Sequence, residues 1–231
     1  MSAIVENIAR VRERIERAAK RAGRAPEQIR LVAVSKTVEA ERVLEAVNAG
    51  VKILGENYVQ EAQKKISLVG HGASWHFIGH LQTNKAKLAV RLFDSIHTVD
   101  RLNLAEELNR LARQQGKVMP VLIEVHLSEE ATKFGAEEQE IKPLAEKLSE
   151  MEGLAVQGLM TMPPYFENPE DSRPYFLRLR KLAEELARRR IPGLSMEELS
   201  MGMSNDFEVA IEEGATWVRV GTAIFGSRPA K

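Results

Sequence analysis

The chain of 231 residues contains no cysteine. That absence excludes disulfides, zinc thiolate sites and cysteine nucleophiles together, and it suits a reducing cytoplasm. Net charge is missing too, since 33 Lys and Arg balance 33 Asp and Glu, so no field draws the protein onto nucleic acid or an anionic membrane. The one dense basic run, Arg188-Arg189-Arg190, continues the Leu182, Leu186 periodicity and reads as the solvated end of a helix. No stretch approaches the ~18 apolar residues of a membrane span, and the N-terminal MSAIVENIARVRERIERAAKRAG has no apolar h-region of a secretion signal. A Pro/Gly/Ser-rich linker is also lacking. The expectation is one domain over residues 1–231, cytoplasmic, with neither nucleic-acid nor membrane partners.

What is present is ample core material, with 44% of residues hydrophobic and 29% charged. Ile4, Ile8, Val11 and Ile15 form one stripe of an amphipathic N-terminal helix. From Leu31 to Phe225 short β-rich runs alternate with longer helical patterns. Eight strands are predicted: 31–35, 52–55, 75–79, 95–98, 118–126, 156–161, 199–201 and 217–220. Helical patterns between them include 39–49, 57–69, 101–115, 137–151 and 172–190. Eight βα steps with short connections predict an α/β fold, a single (β/α)8 TIM barrel with an extra N-terminal helix. An open doubly wound sheet is the alternative, but it usually carries a glycine-rich turn after its first strand, and here Val34 is followed by Ser35-Lys36-Thr37-Val38.

In such a barrel, functional groups collect at the C-terminal ends of strands, and Lys36 ends the first one. A strand-end lysine commonly just reaches water along an apolar wall, so Lys36 needs company before it can be assigned chemistry. LSMGMSNDFEVAIEEG (199–214) brings a short strand to Gly202 and then Ser204, a natural N-cap for the acidic, apolar-periodic helix that follows. VRVGTAIFG (218–226) ends the eighth strand at Gly221-Thr222. Loops after the seventh and eighth strands often cradle phosphate in TIM barrels, although each segment taken alone reads as an ordinary turn. Strand alternation places Val218 and Val220 against the helices and Arg219 inward. A lysine, an inward arginine and a phosphate cradle describe a site for a phosphorylated aldehyde. Pyridoxal 5′-phosphate (PLP) meets all three features, and an aldolase-type sugar phosphate meets two.

The segments LVAVSKT (31–37), GENYVQE (55–61), WHFIGHLQTNK (75–85), GLMTM (158–162), LSMGMSNDFEVAI (199–211) and VRVGTAIFGSR (218–228) resemble those of the pyridoxal phosphate homeostasis family. That family shares the fold-type III, PLP-binding barrel of the alanine racemase N-terminal domain. The resemblance covers essentially the whole chain. It implies that Lys36 forms the internal aldimine, that Ser204, Gly221 and Thr222 hold the phosphate, that Arg219 faces the pyridine nitrogen and that Asn57 lies close to the cofactor. Met201 and Met160 resemble cofactor walls, with plain packing an equal reading.

The resemblance to alanine racemase further implies that racemisation needs a second base, a tyrosine on an additional C-terminal domain, and the chain as given is expected to lack that domain. Tyr58, Tyr165 and Tyr175 belong to barrel helices or loops. A cation at the pyridine nitrogen also makes the ring a weak electron sink. The expected function is therefore intracellular vitamin B6 homeostasis by a non-enzyme that sequesters PLP on a lysine and delivers it, with apo PLP-dependent enzymes as recipients and a monomeric state. The alternative is a PLP-dependent amino-acid racemase of low activity. An aldolase would need Glu124 or Glu56 as its acid or base. No metal is expected: on a strand His76 and His80 lie roughly 13 Å apart, and His71, His97 and His126 have no partner at ligand spacing.

Overall fold

The computed structural model of the protein describes residues 2–70, 72–128 and 134–226; His71, and Ser227 and Arg228 of the last motif above, lie outside them. Helix α1 (Ala3–Arg21) starts at Ser2, whose hydroxyl accepts the Val5 N–H, and it buries Ile4, Ile8, Val11 and Ile15 as one stripe. The chain then runs through β1 (Arg30–Val34), α2 (Ala40–Asn48), β2 (Ile53–Glu56), α3 (Val59–Val69), β3 (Ser74–Phe77), α4 (Ala86–Leu92), β4 (Ser95–Val99) and α5 (Leu102–Gln114). It continues through β5 (Met119–His126), β6 (Ala136–Glu137), α6 (Glu138–Ser149), β7 (Leu154–Thr161), α7 (Arg173–Arg188), β8 (Leu194–Ser200), α8 (Phe207–Glu212), β9 (Trp217–Val220) and α9 (Thr222–Phe225).

Eight parallel strands close into a ring in the order β1, β2, β3, β4, β5, β7, β8, β9, and β9 pairs back onto β1. The two-residue β6 lies outside the ring, attached to β5. The helices cover the outside. Their inward stripes, such as Leu104, Leu108 and Leu111 of α5 and Phe176, Leu179, Leu182 and Leu186 of α7, pack against outward-facing strand residues including Val218 and Val220. Strands buried on both faces are the signature of a parallel sheet, and all five residues of β4 are buried. The TIM barrel with its added N-terminal helix is the observed fold.

The differences from expectation have local causes. Strand β7 begins at Leu154 rather than Val156, and β8 at Leu194 rather than Leu199. The start of β8 is polar, yet Glu198 finds partners at the base of the barrel: it accepts from Thr216 Oγ1 at 2.7 Å and Trp217 Nε1 at 2.6 Å, and it pairs with Arg30. Helix α4 has only seven residues, too short to announce itself by periodicity. The basic run behaves as expected, with α7 ending at Arg188 and Arg189 paired to Glu185 at 2.8 Å. Among the described residues no helix is long and apolar enough to cross a membrane.

Candidate functional site

Lys36 follows β1 in a turn clamped from below. Ser35 donates its N–H to Gly55 O at 3.0 Å and its hydroxyl to Glu56 Oε1 at 2.7 Å. Lys65 on α3 is buried and reaches Glu56 Oε1 (2.7 Å), Glu61 Oε1 (2.6 Å) and the Ser35 carbonyl (2.5 Å). Glu61 also accepts the Thr37 N–H at 2.5 Å. Thr37 holds φ +63, a left-handed conformation that a β-branched residue adopts only under constraint. The peptides on both sides of Lys36 are therefore held by one buried ion network. Burial of Glu56 pushes its carboxyl above the ordinary range, against the opposing pull of Lys65.

Across the mouth, β8 ends at Ser200 and the chain turns at Gly202, whose φ is +88. A Cβ there would stand 2.5 Å from Ala210 Cβ and 2.9 Å from Phe207 Cα. Only glycine fits, and the close approach sets the loop that presents Met203 and Ser204. Asp206 steadies this loop by accepting the Met203 N–H (2.6 Å) and the Ser172 hydroxyl (2.9 Å). Ser204 does not cap α8, contrary to the sequence expectation. Asp206 occupies the N-cap position, and Ser204 Oγ instead accepts the N–H groups of Gly221 (3.1 Å) and Ala223 (3.3 Å). The loops after β8 and β9 are thus tied together at this hydroxyl.

Arg219 points into the barrel as alternation demands. It is buried, donating from Nη1 to Ser200 Oγ (2.7 Å) and from Nη2 to the Thr161 carbonyl (2.8 Å). Burial lowers its pKa to about 10, which leaves a cation at neutral pH. Deeper in the barrel, burial raises Glu124 to about 8, with the Asp100 charge adding to the shift.

Lys36, Asn57, Ser204, Arg219, Gly221 and Thr222 line one cleft of about 710 Å³, open solvent at its mouth included. Asn57 Oδ1 is buried there without a hydrogen-bond partner, an acceptor left for a ligand donor. Met201 is the expected site residue that the cleft does not include. Ser200 faces inward to Arg219, so alternation turns Met201 outward, and it is fully buried in the hydrophobic core. Met160 is fully buried as well. Met162 and Met203, two residues further along each segment, line the cleft instead. The ion network under Lys36 and the polar chain behind Arg219 were not legible in the sequence, because both join residues from different elements of the barrel. Histidines at alternating strand positions were the signal for the second: His76 and His97 meet with Nδ1 to Nε2 at 3.0 Å. Among the described residues no cluster of three or more potential metal ligands occurs.

The family model described as alanine racemase, N-terminal domain, matches residues 6–229, and the chain belongs to that family of barrels. Its place within the family is given by curated relatives named pyridoxal phosphate homeostasis protein. The one from Aquifex aeolicus is 50% identical over 224 residues, 96% of this chain and 97% of the relative. The one from Escherichia coli strain K12 is 42% identical over 238 residues, 99% and 98% of the two chains. PipY of Synechococcus elongatus, solved with PLP bound, superposes with a TM-score of 0.85 at 36% identity, covering 96% of this chain and 100% of that one. Alanine racemase from Clostridium difficile shares the fold, with a TM-score of 0.69 at 16% identity over 58% of its length.

Proposed function

We propose that the protein binds pyridoxal 5′-phosphate in the Lys36 cleft and holds it in reserve for other proteins without turning over a substrate. The observation that carries this reading is the convergence of Lys36, Arg219 and the Ser204–Gly221 junction on one cleft. The group supplies an aldehyde that condenses with an amine, a pyridine nitrogen and a phosphate, and the residues present fit all three. Lys36 offers the amine at the mouth. Arg219, charged at neutral pH, would donate a hydrogen bond to the ring nitrogen, and its charge would disfavour protonation there. Ser204, Gly221 and Thr222 offer hydroxyl and backbone donors to the phosphate oxygens, and Asn57 offers its unpartnered carbonyl oxygen to the ring substituents.

Racemisation demands removal of a proton from one face of a carbon and return on the other, hence two positioned acid–base groups. Among the described residues lining the cleft, Lys36 is accompanied by no histidine, tyrosine, aspartate or glutamate. Glu56 is engaged with Ser35 and Lys65 beneath the turn, and Glu124 does not line the cleft. Holding and release therefore fit the site better than turnover. We further propose a cytoplasmic monomer whose recipients are apo PLP-dependent enzymes.

The test mixes PLP-loaded protein with an apo PLP-dependent enzyme and follows recovered enzyme activity, while chiral chromatography monitors alanine and other amino acids. Recovery without racemisation is the expected result. Sustained racemisation that is lost in Lys36→Ala would replace the carrier reading with the racemase one.

A further inference from the structure

Behind Arg219 a line of buried polar side chains crosses the barrel interior. Arg219 Nη1 lies 2.7 Å from Ser200 Oγ, Ser200 Oγ 3.0 Å from His97 Nδ1, and His97 Nε2 3.0 Å from His76 Nδ1. All four residues are buried, Ser200 completely. The proton positions along this line follow from bookkeeping of donors. A guanidinium can only donate, so Ser200 must accept from Arg219. The Ser200 hydroxyl proton then needs an acceptor in a site closed to water, and His97 Nδ1 is the partner in reach. With Nδ1 accepting, neutral His97 carries its proton on Nε2 and donates to His76 Nδ1, which leaves the His76 proton on its own Nε2. Every donor points away from Arg219.

We propose that Ser200, His97 and His76 are positioning residues for Arg219: a one-way chain of hydrogen bonds, with both imidazoles as neutral Nε2–H tautomers, that fixes the guanidinium toward the cleft. This rests on the PLP reading only for its consequence, since the chain itself belongs to the ligand-free protein. The electrostatics agree with the geometry. Burial holds His97 well below its ordinary value, and the neighbouring charges of Arg219 and Arg30 act in the same direction. Burial also lowers His76 to about 4, where Arg30 adds to the shift and Asp94 opposes it. Reversing the chain would aim a His97 Nδ1–H at a serine already accepting from a cation and leave the serine proton unpaired, which is costly inside a protein. The Nη2 contact to the Thr161 carbonyl fixes the second arm of the fork, so the guanidinium plane is defined at two points before any ligand arrives.

The experiment is long-range proton–nitrogen NMR on 15N-histidine-labelled protein without ligand, at neutral pH, followed by PLP dissociation measurements on variants. The expected spectrum has both buried histidines as single Nε2–H tautomers. In Ser200→Ala, His97 loses its donor and becomes a tautomer mixture, and PLP affinity falls about tenfold, the equivalent of one charge-assisted hydrogen bond. Ser200→Thr keeps the hydroxyl and restores both. A His97 found as Nδ1–H or doubly protonated in the wild-type protein overturns the proposal, whether or not PLP binds. An unchanged PLP affinity in Ser200→Ala, with the wild-type tautomers as expected, overturns the positioning role. If Ser200→Ala does not fold, Ser200→Thr decides, because loss of the tautomer order or of affinity with the hydroxyl present contradicts the chain. Failure of the PLP reading is recognised separately, as wild-type protein with ordered tautomers and no PLP binding at the Lys36 cleft; the ordered tautomers then support the chain, and only its consequence for the cofactor falls.

Discussion

Ser204 holds two backbone N–H groups that belong to another loop, so its hydroxyl is both a brace for the cleft and a donor toward it. Ser204→Ala and Thr222→Val should each weaken retention of PLP while leaving pyridoxal, which lacks the phosphate, nearly untouched. One hydrogen bond to a charged oxygen contributes about 1.5–3 kcal/mol, or roughly ten- to a hundredfold in affinity. Equilibrium dialysis with the two ligands checks this, and equal losses for both would place these residues away from the phosphate. Glu124 supplies a second residue-scale prediction. Its pKa rises from 4.5 to about 8 in the folded protein, so the native state binds the extra proton. The stabilisation from Glu124 is complete below pH 4.5 and declines as pH rises toward 8, by about 1.4 kcal/mol per pH unit. Glu124→Gln should therefore gain stability over the wild type progressively between pH 5 and pH 8 and then level off, as measured by urea unfolding at several pH values. A difference independent of pH would mean that Glu124 is ionised in the native state.

At the scale of elements, the cleft depends on how strands end. Gly202→Ala should destabilise the protein by about 1–3 kcal/mol, because a Cβ at φ +88 would strike Phe207 and Ala210 of α8. The same change should displace Ser204 and lower PLP retention. Thermal unfolding and dialysis of this variant give the two readings, and a variant as stable as the wild type would show that the loop can give way. These strand ends were largely legible beforehand: the run LVAVSK and the alternation around Arg219 locate Lys36 and the inward guanidinium from sequence alone. The phase of the methionines was not legible. Which of Met201 and Met203 faces the cleft depends on where β8 stops alternating, and the turn at Gly202 decides that. Ser204 lines the cleft, but not as the cap its sequence context suggested, since a cap pattern before a helix does not reveal that the hydroxyl bridges to a different loop.

At the scale of the whole molecule, the site is a product of ring closure. Lys36 and Arg219 stand far apart in sequence, yet β1 and β9 are hydrogen-bonded neighbours, with Val32 opposite Arg219 and Ala33 opposite Val220. Counting eight βα steps was enough to foresee that the first and last ring strands meet, which is why most of the cleft could be read in advance. What stayed hidden lies between elements: the Lys65 network that ties α3 to the ends of β1 and β2, and the histidine chain through the interior, whose members are linked by register rather than by spacing. Whether the cofactor is held covalently at this junction of first and last ring strands is decided by borohydride reduction of PLP-loaded protein followed by peptide mass mapping. The expected product is a single pyridoxyl mass on the peptide carrying Lys36, with Lys52, Lys65 and Lys85 unmodified. A label on another lysine in place of Lys36, or no label at all, would contradict it.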